Sequence, residues 1–101
     1  YIFTLLDRDA YRVGQTVRIP VYVVNDAHRA YAQVRATAEV RDGAGSPLLR
    51  REWVLSLPAD SRALEAGRLA LSLPRAGRYT VRLALDWGEG TLENEYEVMV
   101  E

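Results

Sequence analysis

A chain of 101 residues with 49% apolar and 27% charged residues has the makeup of one globular domain, which excludes wholesale disorder. Its 13 basic residues, all arginine, nearly balance 14 acidic ones, and a net charge of −1 gives no electrostatic footprint for nucleic acid. The absence of cysteine excludes a disulfide framework, a thiolate metal site and a thiol nucleophile, and no apolar run approaches the ~18 residues of a membrane-spanning helix.

The chain opens on Tyr1-Ile2-Phe3-Thr4, strand-like from its first residue, so a domain cut from a longer multidomain protein is expected. From there apolar and polar residues alternate with a period of two, the mark of strands buried on one face and wet on the other. Val17, Ile19, Val21 and Val23 share a face, as do Val34, Ala36, Ala38 and Val40. Trp53, Leu55 and Leu57 follow the same rule, then Leu69, Leu71 and Leu73, then Tyr79 through Trp87, and finally Leu92, Tyr96, Val98 and Val100. Turn chemistry separates these runs at Val13-Gly14-Gln15, Asn25–Arg29, Asp42–Pro47, Pro58–Ser61, Pro74–Gly77 and Trp87–Gly90. The spacing predicts strands over residues 1–6, 15–25, 32–41, 48–57, 66–73, 77–87 and 91–100, with one turn of helix as an alternative from Asp60 to Ala66.

Seven short strands with regular turns imply an all-β fold, an immunoglobulin-like sandwich of two antiparallel sheets, with a small barrel as the other solution. Ala76-Gly77-Arg78-Tyr79 is similar to the tyrosine corner at the sixth strand of such sandwiches, where the phenol bonds to upstream backbone. In the last hairpin, Leu85 opposite Leu92 sets Val81 against Tyr96, Tyr79 against Val98 and Arg82 against Glu95. In the hairpin around Asp42-Gly43, the expected register sets Ala38 opposite Trp53. The expected core centres on Val21, Val23, Val34, Ala36, Trp53, Leu55, Leu71, Tyr79, Val81, Leu83 and Tyr96.

The residues form no catalytic set. His28 stands alone beside Asn25-Asp26 in a loop, no serine has a nucleophile elbow, and zinc has no ligand set. Asp7, Asp9, Asp26, Asp60 and Asp86 read as turn and cap residues, with a calcium site at one pole as the alternative. Glu93, Glu95, Glu97 and Glu101 read as a solvated strand face paired to arginines. Gly43-Ala44-Gly45 lies in a hairpin with no helix after it to hold phosphate. No cofactor is therefore expected. Tyr11, Tyr22, Tyr31 and Trp87 fall on outward or loop positions and are the candidates for stacking on carbohydrate or for contacts between domains.

Two stretches, Pro20–Ala30 and Glu93-Asn94-Glu95-Tyr96-Glu97-Val98, flank the Asp42-Gly43 hairpin and the Leu73-Pro74…Tyr79 corner. Together they resemble the immunoglobulin-like accessory domains of family 2 glycoside hydrolases, such as β-mannosidases. In that family a strand ends in a short Asn-Asp segment, here Asn25-Asp26, and the last strand begins with Asn and an aromatic. The resemblance implies a non-catalytic domain beside a separate catalytic (β/α)₈ barrel, which needs about 250 residues of its own. It also implies that Asn25, Asp26 and Asn94, with Tyr79, are structural, and that the partners are other domains of the parent chain. A second resemblance, in Asp9–Val17, is to the opening of macroglobulin-type domains, although Val13 and Gln15 replace the usual Pro and Glu. That reading implies a spacer in an α2-macroglobulin-like protein. A third class is an adhesive sandwich on a bacterial cell surface.

Overall fold

The computed structural model describes residues 1–8 and 10–101. Asp9, one of the carboxylates read as a cap or calcium ligand, lies outside them. Eight strands run in chain order: β1 Ile2–Phe3, β2 Ala10–Tyr11, β3 Thr16–Val23, β4 Tyr31–Arg41, β5 Pro47–Leu57, β6 Leu64–Ser72, β7 Gly77–Asp86 and β8 Thr91–Val100. They form a three-stranded sheet in the order β1-β3-β6 and a five-stranded sheet in the order β2-β8-β7-β4-β5. This is a two-sheet sandwich of immunoglobulin-like type, 43 Å long.

The inner faces are the alternating residues of the sequence. Val17, Ile19, Val21 and Val23 of β3 are buried, as are Val34, Ala36, Ala38 and Val40 of β4 and Tyr79, Val81, Leu83 and Leu85 of β7. Trp53, Leu55, Leu71 and Tyr96, expected in the centre of the core, are half-buried and pack against it from its margin. Trp53 and Leu55 lie on β5 and Leu71 on β6, both edge strands, so one side of each faces out of the sandwich.

The N-terminal region differs from the expected single strand over residues 1–6. Only Ile2 and Phe3 pair, with Val23 and Tyr22. The chain then crosses to the other sheet, where Ala10 and Tyr11 run parallel to Met99 and Val100 of β8. The sheets are thus antiparallel except for this pair. The crossing buries Tyr11, which is 3% exposed, so the outward or loop position expected for it is wrong. Tyr11 stands alone as an aromatic in a polar stretch, and alternation has no run there to place it.

The last hairpin adopts the expected register: Leu85 faces Leu92, Val81 faces Tyr96, Tyr79 faces Val98 and Arg82 faces Glu95. The β4–β5 hairpin is shifted by two residues, so Trp53 faces Ala36 and Ala38 faces Arg51. Its loop is the cause. The Asp42 carboxylate accepts from the backbone of Ala44 and Ser46, both at 2.9 Å, and Gly45 turns the chain at φ +85°. That closes a tight loop with Arg41 facing Pro47, and a bulge between Val40 and Arg41 sets the rest of the ladder.

The helical turn at 60–66 does not form. Asp60 adopts φ +50°, and Asp60 and Ser61 donate their backbone N–H groups to the carbonyls of Ala27 (2.9 Å) and Asn25 (2.8 Å). Aspartate tolerates that left-handed geometry. The chain is thereby pinned to the neighbouring loop, and Leu64–Ala66 enter β6 instead.

The flank of the sandwich between β5 and β6 is closed by Trp53. Its indole lies against Gly67, so close that a Cβ at Gly67 would sit only 2.1 Å from the nearest ring atom. Gly67→Ala is therefore expected to expel the indole and to cost ~1–3 kcal/mol through overpacking, measured by urea unfolding with tryptophan emission as the probe. An unchanged midpoint and unchanged emission would show that Trp53 does not clasp the two sheets.

Candidate functional site

One pole of the sandwich gathers the loops after β3, β5 and β7. Asn25, just beyond β3, ties the first two of them together. Its carboxamide nitrogen donates to the carbonyls of Arg29 and Pro58, both at 2.9 Å, and its oxygen accepts from Ala27 N–H at 3.1 Å. Its backbone N–H donates to Ser61 Oγ at 3.1 Å. The side chain is buried and both of its polar atoms are engaged by this chain's own loops. Asp26 beside it is exposed.

Above Asn25 is a shallow hollow of about 190 Å³, with Tyr31, Trp87, Leu57 and Leu92 in its lining. Tyr31 and Trp87 are thus brought together, both half-buried. Trp87 leans on Gly90 across the β7–β8 turn, where an added Cβ would sit 2.8 Å from the ring. The Asp86 carboxylate shapes that turn by accepting from Gly88 N–H at 2.8 Å. The Arg29 guanidinium lies 5.0 Å from the centre of the Tyr31 ring and grips Glu89 in a fork, at 2.6 and 3.3 Å. That grip, with the Glu89 charge beside it, raises the pKa of Arg29. Alternation gives no sign of the Arg29–Glu89 pair, since its members are 60 residues apart in loops. His28 is exposed and meets Asp60 at 3.0 Å. Among the described residues, no group of three His, Asp or Glu side chains is placed to hold a metal ion.

The other two aromatic candidates lie elsewhere. Tyr22 is on the outer face of the three-stranded sheet, stacked on Phe3 at 5.3 Å, and Phe3 stacks on Tyr1 at 5.7 Å. Phe3 is thus stacked from both sides, while Tyr1 and Tyr22 each give it one face; Tyr1 and Phe3 are not among the expected site residues. Tyr11 sits at the end of β8 away from Trp87, and its hydroxyl donates to Asp7 at 2.7 Å. Asn94 faces inward on β8 and donates to the carbonyl of Ile2 and the hydroxyl of Tyr96, which ties β1 to the larger sheet. Tyr79 is buried, and its hydroxyl donates to the Arg75 carbonyl at 2.6 Å.

The glutamates of β8 line a flat outer face. Arg82 reaches Glu95 at 3.1 Å, within a row in which Arg50, Glu39, Arg82 and Glu95 sit side by side across four strands. The hollow above Asn25 falls well short of the ~300–1,000 Å³ of clefts that enclose small molecules. Chemically, the pole offers two half-buried aromatic rings and a fixed ion pair, which suits surface contact.

No protein-family model matches this chain, and no curated protein sequence matches it significantly. Its fold is similar to solved structures at low identity. The CARDB domain of a Pyrococcus furiosus protein, solved with two metal ions, superposes with a TM-score of 0.71 at 15% identity, over 99% of this chain and 84% of that one. A β-glucuronidase of glycoside hydrolase family 2 superposes at 0.68 with 8% identity, and the β-glucuronidase of Parabacteroides merdae at 0.64 with 14%. In both, 98% of this chain is covered, but it spans only 11% and 13% of those enzymes.

Burial, together with the bond to Asp7, pushes the Tyr11 phenol up to about 12, and that bond holds the Asp7 carboxyl below its ordinary range. The neutral phenol is the form the fold favours. Its contribution is complete below about pH 10 and is lost as pH rises through about 12. The Asp7 contribution runs the other way, present above its unfolded pKa and lost as pH falls through the lower folded one. Tyr11→Phe should cost about 1 kcal/mol at neutral pH and should flatten the loss of stability between pH 10 and 12 in urea titrations. Equal alkaline slopes for both proteins would contradict the assignment.

Proposed function

We propose that this chain is a non-catalytic accessory module of a glycoside hydrolase, packed beside a separate catalytic domain and other domains of its parent. The observation that carries the reading is the match of 98% of this chain to a 13% slice of a β-glucuronidase. A module of that share is support; the chemistry of such an enzyme needs two carboxyl groups across a sugar cleft. Glu93, Glu95 and Glu97 do recur at about 6.6–7 Å along one strand, close to the spacing of an inverting pair, but on a flat, wet face. The hollow with Tyr31 and Trp87 is the surface we assign to contact with a neighbouring domain, or with the rim of that domain's sugar cleft. Asn25 ties together the loops after β3 and β5 that border it, and Asn94 holds β1 to the larger sheet, whereas Tyr79 makes its bond at the opposite pole and Asp26 is exposed.

A second reading is a free-standing sandwich module of the cell-surface adhesive kind. It is favoured by the likeness to the CARDB domain, which extends over 84% of that chain rather than a slice of an enzyme.

The purified chain is expected to release no nitrophenol from aryl β-glucuronides, β-mannosides or β-galactosides, and to bind free sugars at millimolar levels at best, followed by tryptophan emission. Saturable turnover abolished by Glu95→Gln would overturn the accessory reading and make the domain an enzyme in its own right.

A further inference from the structure

Strand β5 is eleven residues long, and no described strand pairs with its outer edge. An edge of that length offers a ladder of backbone donors and acceptors to another strand. Its outward-facing residues are Leu48, Arg50, Glu52, Val54 and Ser56, and Leu48 and Val54 are 42% and 62% exposed. Arg50 and Glu52 already touch at 3.3 Å, and Glu52 also meets Arg35 at 3.2 Å. The charge row of the five-stranded sheet reads Glu95, Arg82, Glu39, Arg50 from β8 outward, so it alternates in sign and stops on an arginine at the open edge.

We propose that β5 pairs antiparallel with β5 of a second copy of this chain, centred on Arg51, to make a continuous ten-stranded sheet. The sequence of the strand selects that register. Registers that differ by one residue would set one chain's outer face against the other's inner face. Of those that keep the faces matched, centring on Glu52 sets glutamate against glutamate, and centring on Arg50 sets arginine against arginine. Centring on Trp53 sets Glu52 against Val54. Centring on Arg51 places Arg50 opposite Glu52 of the second copy twice over, and Leu48 opposite Val54 twice over. The alternating row then continues across the junction, with the second copy's Glu52 following Arg50. The single like-charge contact is Arg51 with its own copy, where both side chains are exposed and screened by salt. The two-fold axis closes the pair, so association stops at a dimer.

Sedimentation equilibrium of the 101-residue chain and two variants tests this, with circular dichroism to establish that each variant is folded. Wild type is expected to dimerise. Arg50→Glu places four carboxylates on the outer face of the junction and Glu52→Arg places four guanidiniums there, so each variant alone should self-associate about tenfold more weakly. An equimolar mixture of the two should dimerise at least as well as wild type, because each carboxylate that the first variant brings to the junction then faces a guanidinium of the second. A wild-type chain that stays monomeric at millimolar concentration would overturn the proposal and leave the edge to an extended segment of another protein. So would open-ended assembly, or a mixture that associates no better than its components.

Discussion

Two sheets with no cystine between them are held together by the contact of their inner faces, and that contact exists only if each long strand keeps its apolar residues on alternate positions. Here the small residues Ala36 and Ala38 of β4 lie buried between Val34 and Val40, in a core with the valines and isoleucine of β3 and with Tyr79, Val81, Leu83 and Leu85 of β7. Interiors are close-packed, so a residue turned to the wrong face would remove one side chain from the core and add one polar group to it. The flanks need their own closure. Trp53 over Gly67 closes one, and it works because glycine lacks the atom that would occupy the ring's place. The bonds from Asn94 to Ile2 and Tyr96 close the other, where the two-residue β1 joins the core.

The character of the site at the pole follows from the same constraint. A sandwich leaves its loops at two poles, and loops carry backbone groups that must be satisfied. Asn25 does this for three backbone groups of two loops with one carboxamide, which leaves its nitrogen no donor to offer a ligand. What remains is Tyr31 capped by Arg29, Trp87 resting on Gly90, and the Arg29–Glu89 fork that fixes their spacing. These are the features that the proposed contact surface would present. The outer face of the larger sheet is a charge mosaic whose ordered rows give its open edge a preferred complement.

Most of the architecture is legible in the sequence because burial has a period of two and turns have a composition. The β7–β8 register follows from Leu85 and Leu92, since one slip would reverse every side chain. The β4–β5 register does not, because the expected and observed pairings both keep the faces right; the choice between them lies in the Asp42 side chain and Gly45, which fix how many residues the loop uses. Tyr11 and the parallel β2 are illegible for a related reason, since two residues cannot display a period. At the pole, Tyr31 and Trp87 stand out as aromatics near turns, whereas Arg29, Glu89 and the role of Gly67 depend on which distant loops and strands meet.

The central claim is that apolar packing of two alternating inner faces, with no cystine between them, holds this domain. Urea unfolding of the purified chain, with and without a chelator, tests it most directly. A single cooperative transition with a slope of about 1–3 kcal/mol per molar urea and a midpoint indifferent to the chelator is the predicted result. A midpoint that falls when metal is removed, or a broad transition that differs between circular dichroism and tryptophan emission, would contradict it.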